Sequence, residues 1–135
     1  MKQTILLCLL LVFISSCNKN QRRVNKISGK WNVVSADIAG YGTADPDLIY
    51  EFEYCKMKND EFCEFSVHNF DTDEIITGAY RIVDTGTKLG MTISSGFGFE
   101  YVEYDIVKST NRKLILENLN VSVGQLSRIE MRRVE

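Results

Sequence analysis

The sequence predicts an all-β fold, an eight-stranded antiparallel up-and-down β-barrel, and three observations carry that expectation. From Ile27 onward no window sustains apolar residues at the three-and-four spacing of a helix. Runs rich in Val, Ile, Tyr and Phe recur between clusters of Gly, Asn, Asp and Ser, and the connections between runs are short. The runs are residues 30–38, 48–57, 61–68, 75–83, 88–94, 99–108, 112–117 and 125–134, eight in all. In the second, Tyr50, Phe52 and Tyr54 stand at alternate positions, and in the third Phe65 and Val67 do, the period of a strand with one buried face. Lys58-Asn59-Asp60, Asp84-Thr85-Gly86-Thr87 and Ser109-Thr110-Asn111 are connections of the length that sequential hairpins need. Eight antiparallel strands in sequence leave two open edges until the first pairs with the last, and closure removes both. A two-sheet sandwich is the alternative for the same strand string.

At 135 residues, with 44% hydrophobic and 25% charged residues, the chain has the composition of a globular protein with one core. Its formal net charge of -2, with Lys and Arg scattered among acidic residues, argues against nucleic acid as a partner.

The N-terminal segment is of another kind. Lys2 supplies a short positive n-region, residues 5–14 form an apolar run too short to span a bilayer, and Ile14-Ser15-Ser16-Cys17 matches the bacterial lipobox. The expectation is a lipoprotein signal peptide over residues 1–16, a lipidated Cys17 and polar tether over residues 17–26, and a barrel domain over residues 27–135. Acyl chains contribute about 0.8 kcal/mol per buried CH₂, so a multiply acylated Cys17 anchors the domain stably without crossing the membrane. Residues 18–26 lack apolar periodicity and read as a flexible tether whose Lys19, Arg22, Arg23 and Lys26 can also rest on anionic headgroups. Asn18 is not the acidic residue that resembles an inner-membrane retention signal, which points to the outer membrane.

Gly29-Lys30-Trp31 opens the first strand as the G-x-W motif of lipocalins does, and Gly78-Ala79-Tyr80 sits mid-domain as in small bacterial lipocalin-like lipoproteins. Over residues 27–135 the chain resembles that family. The resemblance implies a lipocalin-like barrel in which Trp31 packs at the closed end against an arginine of the last strand, Arg133 or Arg132. The alternative is that Trp31 is a large core residue and nothing more.

Cys55 and Cys63 remain once Cys8 and Cys17 are assigned to the signal and the anchor, and an exported domain sits in an oxidising compartment. They mirror each other about Asn59, so a symmetric hairpin brings them to bridging distance. One observation opposes the bridge: Tyr50, Phe52 and Tyr54 turn Cys55 outward, while Phe65 and Val67 turn Cys63 inward. A bulge or a polar interior would reconcile them; two free thiols are the alternative.

No catalytic machinery is visible. His68 is the only histidine, so a nucleophile has a single candidate base, and Cys63 lies on the same extended run rather than in a cleft. Asp71-Thr72-Asp73-Glu74 lacks the glycine and distal glutamate of a calcium loop and reads as a solvated acidic turn. Gly40, Gly42, Gly96 and Gly98 precede no helix that would make a phosphate cradle. Neither a metal, a cofactor nor an enzymatic activity is expected.

Up-and-down topology sorts the loops by end. Turns after the second, fourth and sixth strands share the end of the N-terminus, while the longer residues 40–47, 69–74, 95–98 and 118–124 lie at the other. The distal candidates for partner recognition are Tyr41, Gly42, Thr43, Ala44, Asp45, Pro46 and Asp47, seconded by Ser95, Gly96, Phe97 and Gly98, a mixture of aromatic anchor and adaptable backbone. Pro46 and the restricted Asp45 before it stiffen the first loop. Two functions of different class follow. One is a binder of a partner protein, most concretely an inhibitor of a secreted peptidase, a format that resembles the potempin-type lipoprotein inhibitors in architecture and size. The other is a carrier of a small apolar ligand in the barrel interior, as in lipocalins. Trp31, Tyr50, Phe52, Tyr54, Tyr80 and Tyr104 as inward side chains would fill much of that interior, which favours the first.

Overall fold

A computed structural model describes residues 19–57, 62–95 and 98–135. The expected signal peptide, Cys17, the Lys58-Asn59-Asp60 connection, Gly96 and Phe97 lie outside the described residues. Those described form a helix, α1 (Lys19–Ile27), and nine strands: β1 (Gly29–Ile38), β2 (Gly42–Ala44), β3 (Leu48–Phe52), β4 (Cys63–Asn69), β5 (Glu74–Val83), β6 (Lys88–Ser95), β7 (Gly98–Ser109), β8 (Lys113–Glu117) and β9 (Leu126–Arg133).

Eight of these strands, all but β2, pair antiparallel in chain order, and β1 pairs with β9. The barrel is closed, as the run of eight strands predicts, and no sandwich forms. Closure runs from Trp31 opposite Arg133 to Ile38 opposite Leu126, with register shifts between Val33 and Ser35 and between Asp37 and Ile38. The first shift inserts one residue, so Trp31 and Val33 face inward before it and Ala36 after it, all three buried. β2 is an addition: it folds back on the distal half of β1, pairing Ala44 with Ala36 and Gly42 with Ile38.

Alternation fills the interior with Phe65 and Val67 from β4, Tyr80 and Ile82 from β5, Leu89 and Met91 from β6, and Leu114 and Leu116 from β8, all buried. Phe52 meets Tyr80 edge-on at 5.2 Å, and Tyr50 stacks on Phe65 at 6.5 Å. Gly78 lies opposite Phe65, and a Cβ there would sit 2.4 Å from the Thr92 carbonyl oxygen and 2.6 Å from the Phe65 ring. The glycine therefore lets the β6 backbone approach closely and the Phe65 ring lie over β5.

Residues 19–26, expected as a flexible tether, are helical instead. Nine residues of polar sequence do not hold a helix alone. Val24 and Ile27 are fully buried against the barrel core, and each contributes about 1.5–3 kcal/mol by that burial. The end of the barrel supplies the apolar surface that the helix lacks in sequence, and α1 caps it.

β3 also ends sooner than expected. After Phe52 the amide of Glu53 still reaches the Glu64 carbonyl at 2.9 Å, and then the chain leaves the sheet. Gln21 of α1 takes it over, donating to the Cys55 carbonyl at 3.0 Å and accepting from the Met57 amide at 2.9 Å. Tyr54, expected inward, is consequently 56% exposed. The same departure removes the opposition of Cys55 and Cys63: freed from strand alternation, Cys55 bridges Cys63, with Cα atoms 5.5 Å apart. The closure, the disulfide and the cap all lie within residues 19–135, so this span carries its own core and folds as a unit.

Candidate functional site

The end of the barrel opposite α1 collects the turns after β1, β4 and β8 and the paired ends of β6 and β7. The expected extended loop after β1 is a hairpin. Gly40 and Gly42 take left-handed φ values of +83° and +86°, the Tyr41 amide donates to the Ile38 carbonyl at 2.9 Å, and Gly42–Ala44 returns as β2. The Thr43 hydroxyl donates to the Asp37 carboxylate at 2.7 Å, tying the two arms. Beyond β2, Asp45 and Asp47 are exposed and Pro46 is half-buried, while the Asp47 carbonyl accepts from the Phe70 amide at 3.0 Å and links this segment to the β4–β5 turn.

Residues 118–125 lie against the hairpin. The Gly124 amide donates to the Ala39 carbonyl at 2.7 Å and the Ala39 amide to the Gln125 carbonyl at 2.9 Å. Gly40 makes this approach possible, since a Cβ there would lie 2.8 Å from a Val123 methyl. Within the loop Asn118 accepts from the Asn120 amide at 2.8 Å and Gln125 from the Ser122 amide at 2.9 Å. The Gln125 side-chain amide donates to Glu100 of β7, two residues from Gly98. Backbone bonds between two loops fix both, so the surface is preorganised. That surface presents Tyr41 at 76% exposure, Leu119 at 80% and Val123 at 75%.

Of the expected contact residues, the structure thus groups Tyr41, Gly42, Thr43 and Ala44 in one hairpin. Ser95 and Gly98 pair at the distal ends of β6 and β7. Leu119 and Val123 join them, although no strand pattern in the sequence points to either. Their signal is chemical: a Leu and a Val inside an Asn-, Ser- and Gly-rich turn have no strand face to serve.

The other distal turn is polar. Asn69 accepts from the amides of Asp71 at 3.0 Å and Thr72 at 3.4 Å, an Asx-type turn that sets Asp73 at a positive φ of 56°. Asp71, Thr72, Asp73 and Glu74 are exposed, and the half-exposed His68 stacks on Phe70 at 3.9 Å with Nε2 3.3 Å from Asp73. Among the described residues no three His, Cys, Asp or Glu side chains group as metal ligands.

The Arg133 guanidinium stands over the Trp31 ring at the α1 end, 4.3 Å from its centre; Arg132 is exposed. A groove of about 470 Å³ on the outer wall crosses β4, β5 and β6, floored by Ser66, Thr77, Ala79 and Thr92. Inside, burial holds Tyr80 neutral, raising its hydroxyl to about 12, while the hydroxyl donates to the Glu53 carbonyl. Burial pushes the Tyr50 hydroxyl up as well.

The chain is therefore a helix-capped, closed eight-stranded antiparallel barrel with an apolar, preorganised double loop at the end opposite the helix. No family model, curated protein or solved structure matches it.

Proposed function

We propose that this chain is a non-catalytic envelope lipoprotein, anchored through Cys17 in the outer membrane, which binds a partner protein through its distal loops and most concretely inhibits a secreted peptidase. The observation that carries the reading is the pair of loops locked to each other by two backbone hydrogen bonds while displaying Tyr41, Leu119 and Val123 to solvent. Apolar side chains held out by a fixed backbone lose little freedom on docking, which is what a binding surface requires. Their position opposite α1 directs them away from an anchor at Cys17. The lipobox and the G-x-W resemblance support the envelope setting.

The carrier of a small apolar ligand is the second reading. It ranks lower because Tyr50, Phe52, Phe65 and Tyr80 fill the interior toward the capped end with side chains of the protein itself.

The domain of residues 18–135 is to be titrated against the peptidases secreted by the same cell and, in parallel, against a fluorescent fatty acid. Stoichiometric inhibition of at least one peptidase, lost on glycine-serine replacement of residues 40–44, is the expected result. Equimolar uptake of the fatty acid with no inhibition replaces this reading with the carrier.

A further inference from the structure

The four cations of the N-terminal helix stand at positions 19, 22, 23 and 26, the three-and-four spacing that puts side chains in one stripe. The neighbouring stripe is Val24 and Ile27, buried against the barrel. Packing of one stripe thus holds the other in place. The facing wall is the turn Asp84–Gly86, whose residues all have left-handed φ, at 51°, 55° and 85°. Gly86 lets the turn approach the first turn of the helix, since a Cβ there would lie 3.3 Å from the Lys19 carbonyl oxygen, and Arg23 Nε donates to the Gly86 carbonyl at 2.8 Å. Between helix and turn is a concavity of about 280 Å³ lined by Lys19, Arg22, Arg23, Lys26, Thr85 and Gly86.

Nothing anionic among the described residues neutralises it. Asp84, the carboxylate of the turn, faces Lys88 at 3.8 Å, and Asp105 faces the same lysine at 4.0 Å. None of the four helix cations forms an ion pair with a described carboxylate. Four positive charges on one helix face around one hollow attract phosphate oxygens. The helix starts two residues after Cys17, so this hollow sits where the chain enters the barrel.

We propose that this concavity receives the phosphates of anionic lipid headgroups and seats the barrel, helix end down, on the membrane surface. Each cation at an anionic surface adds attraction that decays within a Debye length, so the seating is salt-sensitive. It turns the Tyr41, Leu119 and Val123 surface away from the lipid, and it requires no acylation of Cys17.

The test is co-sedimentation of the domain of residues 18–135 with vesicles of phosphatidylcholine alone or mixed with phosphatidylglycerol. The expected result is partition into the anionic vesicles only, reversed by added salt. The triple variant K19Q/R22Q/K26Q is expected to lose at least about tenfold of that partition at an unchanged melting temperature. Arg23 is left intact because it holds Gly86. Equal partition into both vesicle types, salt-independent binding, or a triple variant that binds like the parent overturns the proposal. A melting temperature raised by inorganic phosphate, with no vesicle binding, also overturns it and assigns the hollow to a free anion.

Discussion

The Arg133 guanidinium covers the Trp31 ring at 4.3 Å and, with its remaining capacity, donates to the carbonyls of Lys26 at 2.6 Å, Ser28 at 2.7 Å and Asn111 at 2.8 Å. Trp31 Nε1 donates to the Ile27 carbonyl at 2.7 Å. The last carbonyls of a helix have no partner within it, and here a first-strand tryptophan and a last-strand arginine provide them. Gly29, at φ +117°, is part of the arrangement, since a Cβ there would lie 2.6 Å from Arg133 Nη1.

Arg133→Met should therefore lower stability by about 2–4 kcal/mol, less than the sum of three charge-assisted hydrogen bonds and a cation–π contact because two of the bonds are solvent-exposed and water replaces them. Arg133→Lys should fall between the two, because an ammonium cannot reach three carbonyls in fixed directions. Urea unfolding of the three proteins measures this. An Arg133→Met variant within about 0.5 kcal/mol of the parent would show that the cap is decorative.

Mass spectrometry of the non-reduced protein should find Cys55 linked to Cys63. Their sequence separation of 8 closes a short loop, so Cys55→Ser/Cys63→Ser is expected to cost roughly 2–3 kcal/mol through the freer unfolded chain. Full alkylation of both thiols in the native protein, without reductant, contradicts the bridge.

Stability should fall in alkali. Unfolded tyrosine ionises near 10, whereas burial holds Tyr80 neutral to about 12 and raises Tyr50 too. Between these values the unfolded chain has released the proton and the folded chain has not. The stabilisation is thus complete below pH about 10 and is lost as pH rises, at up to about 1.4 kcal/mol per pH unit per buried tyrosine. Urea midpoints across this range test the sign, and Tyr80→Phe should flatten the slope. A parent whose midpoint holds steady through that window would remove the burial argument.

At the distal end, replacing Tyr41, Leu119 and Val123 together by serine should weaken partner binding by at least about tenfold. The melting temperature should stay within about 2 °C, because these side chains are solvent-exposed and contribute little to the core. Loss of binding accompanied by a large drop in melting temperature would mean the loops are structural.

The eight strands of the barrel and their order were legible because period-two alternation and short connections are local signals, and closure follows from strand number. Helix α1 was not. Only Val24 and Ile27 are apolar at helical spacing in it, and their burial depends on a barrel end assembled from distant residues. The cations at 19, 22, 23 and 26 have helical spacing, but spacing among charges does not force a helix. β2 escaped because three residues carry no alternation; Gly40 and Gly42 flanking Tyr41 were the turn signal. Cys55 shows the limit of alternation itself, which predicts a side only while the strand lasts, and β3 stops at Phe52. The distal end was located by topology alone, but the pairing of the 118–125 loop with the β1–β2 hairpin is a contact across the chain that no local pattern encodes.

The pairing of β1 with β9 sets a timetable for folding. Trp31 meets Arg133 only once residue 133 has been made, since ribosomes build from the amino end and β9 is the last of the described strands. Until then β1 keeps an open edge and α1 lacks its arginine cap, while the β4–β5 and β6–β7 pairings need only local chain. A chain halted before residue 126 lacks both the β8–β9 and the β1–β9 pairing and so cannot form the locked barrel. The act that fixes the structure is thus deferred to β9.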